Sequence, residues 1–228
     1  MMRTAEPGAS HADALRRAEV LVPDAFHEGR PLNFWGGRWR RDGVAGLTAA
    51  DAARAVRAGL NEHRTWSVAA PTERRLRVVA ALEGLTAQRE VLTALPGCAT
   101  GLERSLAGVR DCVERLDGLL AGRAPLRGPV SNLAGRACPV PVLLEAVLVQ
   151  ALAGNAAIVN ASTESAHALT LATDLAARHG VPLTLLHGGG AGVEAALTRQ
   201  DVVGCVSYPD GAPRGVALVR AMTRRSVT

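Results

Sequence analysis

The residues able to do chemistry in this chain are few, and their spacing limits what they can do. Four cysteines, Cys98, Cys112, Cys138 and Cys205, stand far apart with no CxxC pair, and the six histidines keep no ligand spacing with them, so a zinc site is not expected. None of the four thiols has an identifiable base beside it in sequence. Every one of the 26 basic residues is arginine, which excludes Schiff-base lysines and lysine phosphate clamps. The glycine cluster Gly188-Gly189-Gly190-Ala191-Gly192 follows an apolar run, but it is not GxGxxG and reads equally as a flexible strand-to-helix turn. Ser162, Thr163 and Glu164 follow a second apolar run and can cap and charge a helix start. Asp210 in Pro209-Asp210-Gly211 stands just before a further helix. A carboxylate there satisfies the helix dipole and repels an anion; an ordinary turn is the alternative reading.

Elements that position these residues follow from periodicity. Thr48 with Asp51 three residues on resembles a capping box for a helix from about 47, with Ala52, Val56 and Leu60 at helical spacing. Pro71 opens a second helix with the stripe Leu76, Val79, Leu82, Leu85 and Leu92, ended by Pro96-Gly97. A third covers about 101–120. The sequence 33–43, NFWGGRWRRDG, reads as an aromatic hairpin or turn in which Trp35 and Trp39 pack on the domain edge. Residues 1–30 read as a loose arm. Beyond Pro125 the pattern changes to alternating strands and helices. A short β-compatible stretch near 130 leads to a helix over 142–153 closed by Gly154-Asn155, then strands over 156–160, 183–187 and 202–208 with helices between. The expected architecture is α/β: an N-terminal helical segment (about 47–120), then Rossmann-like βαβ units (about 126–222) with a parallel sheet covered by helices. No strand is expected after about 222.

Composition narrows the function classes. Apolar residues make up 48% and aromatics 3%, so Ala, Leu and Val must fill the core of a globular protein. The net charge of +5 is spread over helices as Arg38/Arg40/Arg41, Arg74/Arg75/Arg77 and Arg224/Arg225, without the basic stripe and stacking aromatics of a nucleic-acid binder. The apolar run Ala137–Val159 is interrupted by Glu145, Gln150 and Asn155 and reads as a buried helix and a strand, not a membrane span. With no secretory signal pattern at the N-terminus and no disulfide framework, a cytoplasmic protein is expected.

Six segments in order give the chain a resemblance to the N-terminal, NAD(P)-binding half of the aldehyde dehydrogenase superfamily. They are WGGRW (35–39), the helical pair over 50–82 with Val56, Trp66 and Arg74, RGPVSNLAGRACPVP (127–141), LVQALAGNAAIVNASTES (148–165), HGVPLTLLHGGG (179–190) and VGCVSYPDGAPRG (203–215). The fourth is the strongest match. The resemblance implies a cofactor site at Asn160, Ser162, Thr163, Glu164, Gly211 and Gly215, and it also implies that the site is vestigial. Asn160 stands where the family has a lysine on the adenosine ribose; Thr163 replaces its acidic ribose ligand, with Glu164 one residue later. Tyr208-Pro209-Asp210-Gly211 aligns with the family's phosphate-binding turn and brings a carboxylate into it. The family's oxyanion asparagine aligns with Ala137, or with Cys138 if the contraction there shifts the register. No catalytic residue is assigned, because the family's nucleophile and its glutamate lie in sequence beyond the last helix.

The expectation is therefore a single nucleotide-binding-type domain over 31–228, without the catalytic domain, inactive alone and acting as a binding or scaffold module. The alternative is the NAD(P)-binding subunit of a split aldehyde dehydrogenase whose catalytic cysteine is on another chain. A third reading is a decayed product or a non-redox binder of a small metabolite in the remaining cleft. No cofactor is expected to bind tightly, with NAD or NADP the ligand if the site still functions, and no metal is expected. A homodimer or a protein partner is expected on the face that a catalytic domain covers in the family; nucleic acid and membrane are not expected.

Overall fold

The computed structural model describes residues 11–41, 46–135, 138–199, 201–209 and 215–225. Among them the chain begins with helix α1 (His11–Leu21), followed by short strands β1 (Phe26–His27) and β2 (Arg30–Pro31), which pair with each other. The hairpin β3 (Asn33–Trp35) and β4 (Arg38–Arg40) comes next, then α2 (Ala49–Ser67), α3 (Pro71–Ala87), α4 (Arg89–Ala94), α5 (Leu102–Glu114) and α6 (Leu116–Leu120). The second half runs β5 (Arg123–Pro125), β6 (Val130–Leu133), α7 (Val140–Leu152), β7 (Ala157–Ala161), α8 (Ala166–Ala177), β8 (Leu183–His187), α9 (Ala191–Leu197), β9 (Cys205–Ser207), α10 (Gly215–Ala221) and β10 (Thr223–Arg225).

The main sheet has the order β4-β3-β8-β7-β6-β9. β8, β7, β6 and β9 are parallel, while the β3–β4 hairpin adds to the β8 edge in antiparallel fashion. Parallel strands need a crossover, and α7, α8 and α9 supply it. Alternation along each strand sends side chains to two faces. Val159 and Leu185 face a large core built with α3, α5, α7 and α8, whereas Ile158 and Leu186 face a smaller core with Val56 of α2 and Val193 and Leu197 of α9. The sheet is therefore covered on both sides, as a parallel sheet requires.

Local chemistry sets the boundaries. Thr48 and Asp51 form the full capping box that starts α2. Gly154 adopts φ +91° just past α7, a left-handed stop that residues with a Cβ resist. The next residue, Asn155, is fully buried and ties distant segments: Leu126 N–H donates to its Oδ1 at 2.9 Å, and its Nδ2 donates to the Met222 carbonyl at 2.7 Å. The Gly-Asn pair is thus a bracket as well as a stop signal. His63 completes it. The Ala156 N–H donates to Nδ1 at 3.3 Å, so Nε2 carries the proton and donates to the Leu126 carbonyl at 3.1 Å.

Five expectations change, one of them in the third helix, which breaks at Arg115 into α5 and α6. The segment expected as a loose arm contains α1, whose Ala14 and Ala18 are fully buried; α1 packs on α4 and α8. Leu76 is not in the α3 stripe but 71% exposed; the buried face runs through Arg74, Val78, Ala81, Leu82 and Leu85. The second helix breaks at Gln88 into α3 and α4. A strand does follow residue 222: β10 pairs with β5 in antiparallel register, Thr223 opposite Pro125.

Candidate functional site

The carboxyl ends of β6, β7, β8 and β9 lie at one edge of the sheet. Strand order reverses at β6, since β7 lies on one side of it and β9 on the other. Ligands of open α/β sheets bind outside such a switch point. Asn160 and the 162–164 segment close the end of β7, and the glycine turn after His187 closes β8.

Asn160 is engaged inside the protein. Its Nδ2 donates to the Gly188 carbonyl at 2.7 Å, tying the end of β7 to the turn after β8, while its own carbonyl accepts from Ala134 N–H at 3.2 Å. Ser162 Oγ lies 3.0 Å from Ser165 Oγ, and Ser165 Oγ donates to the Ser162 carbonyl at 3.1 Å. Thr163 and Glu164 are exposed on a single 3-10 turn. The capping role allowed for this segment is not realised by a side chain. Neither Ser162 before the 3-10 turn nor Ser165 before α8 makes a side-chain cap bond. Gly215 is the first residue of α10. Gly211, Asp210 and Ala137 lie outside the described residues.

Behind the edge sits His187, the last residue of β8, which no local motif marks. Its Nε2 is 3.1 Å from Thr170 Oγ1, and its backbone N–H donates to Asn33 Oδ1 at 2.7 Å. Burial, assisted by the nearby His167, pushes its imidazole down to about 4, so it is neutral at pH 7. It joins the hairpin, β8 and α8 as a structural hydrogen-bonding group. Burial also favours the protonated form of three of the four thiols. Burial pushes Cys98 up to about 12 and Cys112 to about 11, and raises Cys205 as well; Cys138 donates to the Pro139 carbonyl at 3.7 Å. A raised thiol is a poor nucleophile at neutral pH because the thiolate is the attacking species. Among the described residues no group of three or more His, Cys, Asp or Glu is placed to hold a metal ion. No helix among them is long and apolar enough to cross a membrane.

No protein-family model matches the chain, and no curated protein matches it in sequence. Its structure does have relatives. The Δ-pyrroline-5-carboxylate dehydrogenase of Mycobacterium tuberculosis superposes with a TM-score of 0.69 at 21% identity, over 91% of this chain and 47% of that one. A mutant of 1-pyrroline-5-carboxylate dehydrogenase from Thermus thermophilus gives 0.65 at 16% identity, over 91% and 49%. Betaine aldehyde dehydrogenase from Staphylococcus aureus, in complex with NAD+, gives 0.66 at 16% identity, over 86% and 47%. The fold is that of the aldehyde dehydrogenases, in its Rossmann-like α/β part. The chain spans about half the length of the structures it matches.

Proposed function

We propose that this chain is an aldehyde-dehydrogenase-like nucleotide-domain module whose dinucleotide grip has been converted into internal structure, and that it acts by binding or scaffolding, without dehydrogenase activity of its own. The observation that carries this reading is the Asn160–Gly188 hydrogen bond. The side chain at the position of the family's ribose-binding lysine is short, uncharged and committed to the protein's own backbone. The raised thiols support it from the chemical side. A homodimer or protein partner belongs to the proposal. β9 is an edge strand of half-exposed residues, and Tyr208 beside it is 64% exposed, so this is the part of the sheet such a contact would cover.

The second reading, the NAD(P)-binding subunit of a split aldehyde dehydrogenase, is favoured by the half-length match to a relative bound to NAD+. Calorimetric titration of the chain with NAD and NADP separates the two. The scaffold reading expects no binding tighter than about 1 mM; a micromolar Kd, about 4 kcal/mol stronger, overturns it and supports the split enzyme.

A further inference from the structure

A cavity of about 520 Å³ opens at the other end of β8, around Leu183, walled by the β3–β4 hairpin, α2, α3 and α8. Its volume is in the range of small-molecule sites. Three aromatic side chains line it: Phe34 and Trp39 from the hairpin, 4.8 Å apart and tilted, and Trp66 from α2.

Four charged side chains also line the cavity, and three of them are matched. Arg77 of α3 donates to Glu73 Oε1 at 2.6 Å and stacks 5.7 Å from the Trp66 ring centroid. Arg178 and Asp174 of α8 form an ion pair at 2.5 Å, and Asp174 also accepts from Trp39 Nε1 at 3.1 Å. The fourth, Glu62 of α2, has no cation partner among the described residues. It accepts from the backbone N–H groups of Gly36 and Gly37 in the hairpin turn, and its Oε2 is buried without a hydrogen-bond partner among the described residues. Burial raises this carboxyl to about 7. The hairpin and the start of β8 bring no titratable side chain to the cavity wall. What Glu62 lacks among the described residues is a positive hydrogen-bond donor. An anion would find both arginines already neutralised, and a neutral apolar ligand would leave Glu62 as it is.

We propose that this cavity binds a small organic cation, an amidinium or primary ammonium on a flat apolar body, with the cation on Glu62 and the body against the rings of Trp39 and Phe34. Ring faces attract cations, as the stacked Arg77 already shows on Trp66. A charge-assisted hydrogen bond to a largely buried carboxylate is among the stronger polar contacts a protein makes. The site is separate from the nucleotide edge and does not depend on the reading given to that edge.

The test titrates the full chain calorimetrically at pH 8 with benzamidinium and phenethylammonium, and with benzoate as the anion of like shape. The cations bind and benzoate does not. Glu62→Gln weakens the cations by about tenfold or more, the size of one charged hydrogen bond. Thr65→Lys does the same by a different route. Thr65 is exposed on α2 three residues after Glu62, so the lysine delivers a competing ammonium to the carboxylate without disturbing the core. Because the ionised carboxylate is the binding form, affinity rises by about tenfold or more between pH 5.5 and pH 8. Benzoate binding as tightly as benzamidinium overturns the proposal. So does the absence of binding by either cation at millimolar concentration, or affinity unchanged in both variants while thermal melts show them folded.

Discussion

Asn132 of β6 and Gln150 of α7 form a reciprocal amide pair in the core: Asn132 Nδ2 donates to Gln150 Oε1 at 3.0 Å, and Gln150 Nε2 donates to Asn132 Oδ1 at 2.8 Å. Both side chains are fully buried, and Asn132 Nδ2 also reaches the Ile158 carbonyl at 3.2 Å. The pair fixes α7 in register on the sheet, and each amide makes the other's burial tolerable. Asn132→Leu alone leaves the Gln150 amide buried without its partner and is expected to cost about 1–3 kcal/mol. Adding Gln150→Leu recovers much of that loss. A denaturant double-mutant cycle reads the coupling; purely additive losses would show that the pair is not a unit.

Asn160→Ala removes the bond to Gly188 and is expected to lower stability by about 1 kcal/mol and, on the proposed scaffold reading, to leave NAD affinity unchanged. On the proposed scaffold reading, Asn160→Lys is expected to restore a charge without restoring cofactor binding, because Thr163 and Glu164 are exposed on a single turn. Denaturation midpoints and cofactor titration of both variants check this; micromolar NAD binding by the lysine variant alone would show the cofactor site intact.

How far these positions could be read in advance depended on the range of the interactions. The strand Leu183–His187 and the Thr48–Asp51 capping box are local patterns, and the structure has them where the sequence put them. α1 was hidden because the fully buried residues of its face are Ala14 and Ala18, which carry little hydrophobic signal. Leu76 misled because Arg74, 4% exposed, takes the inward position and rotates the leucine outward. β5 and β10 have three residues each and form only by pairing across nearly the whole second half of the chain. The same limit applies at the candidate site. The resemblance marks Asn160 as a position of interest, but its bond to Gly188, 28 residues on, is a tertiary contact that no local pattern shows.

Gly154 and Gly101 distinguish backbone strain from crowding. Both have positive φ, +91° and +89°. A Cβ at Gly101 meets nothing within 4 Å, whereas at Gly154 it would lie 2.0 Å from Arg74 Nη1 and 2.5 Å from Pro125 Cγ. Gly101→Ala is expected to cost about 1 kcal/mol of strain. Gly154→Ala adds displacement of a buried guanidinium and is expected to cost about 3 kcal/mol or more. Equal melting temperatures for the two variants would contradict this.

Thiol labelling tests the quiet cysteines. At pH 8 the native chain is expected to hold Cys98 and Cys112 unreactive toward an aromatic disulfide reagent, since both are fully buried and raised to about 12 and 11. Cys138 and Cys205, only partly buried, react first. Denaturant releases all four. Rapid native labelling of Cys98 or Cys112 would mean that the helical layer opens readily.

Glu62 gives the fold a pH dependence of unusual sign. Burial raises its carboxyl from an ordinary 4.5 to about 7, outweighing the Gly36 and Gly37 N–H groups that favour the anion. The folded state therefore holds this proton more tightly than the unfolded chain. Its contribution is fully present below about pH 4.5, declines as pH rises toward 7, and is lost above. Glu62→Gln keeps a carbonyl acceptor for the hairpin turn and removes the buried charge. The variant is expected to be more stable than the wild-type chain at pH 8, by on the order of 2–3 kcal/mol, with the difference vanishing near pH 4. Thermal melts of both proteins across pH 4–8 measure it. A stability gap that does not change with pH would mean that this carboxyl titrates normally and that the hairpin turn stabilises its anion fully.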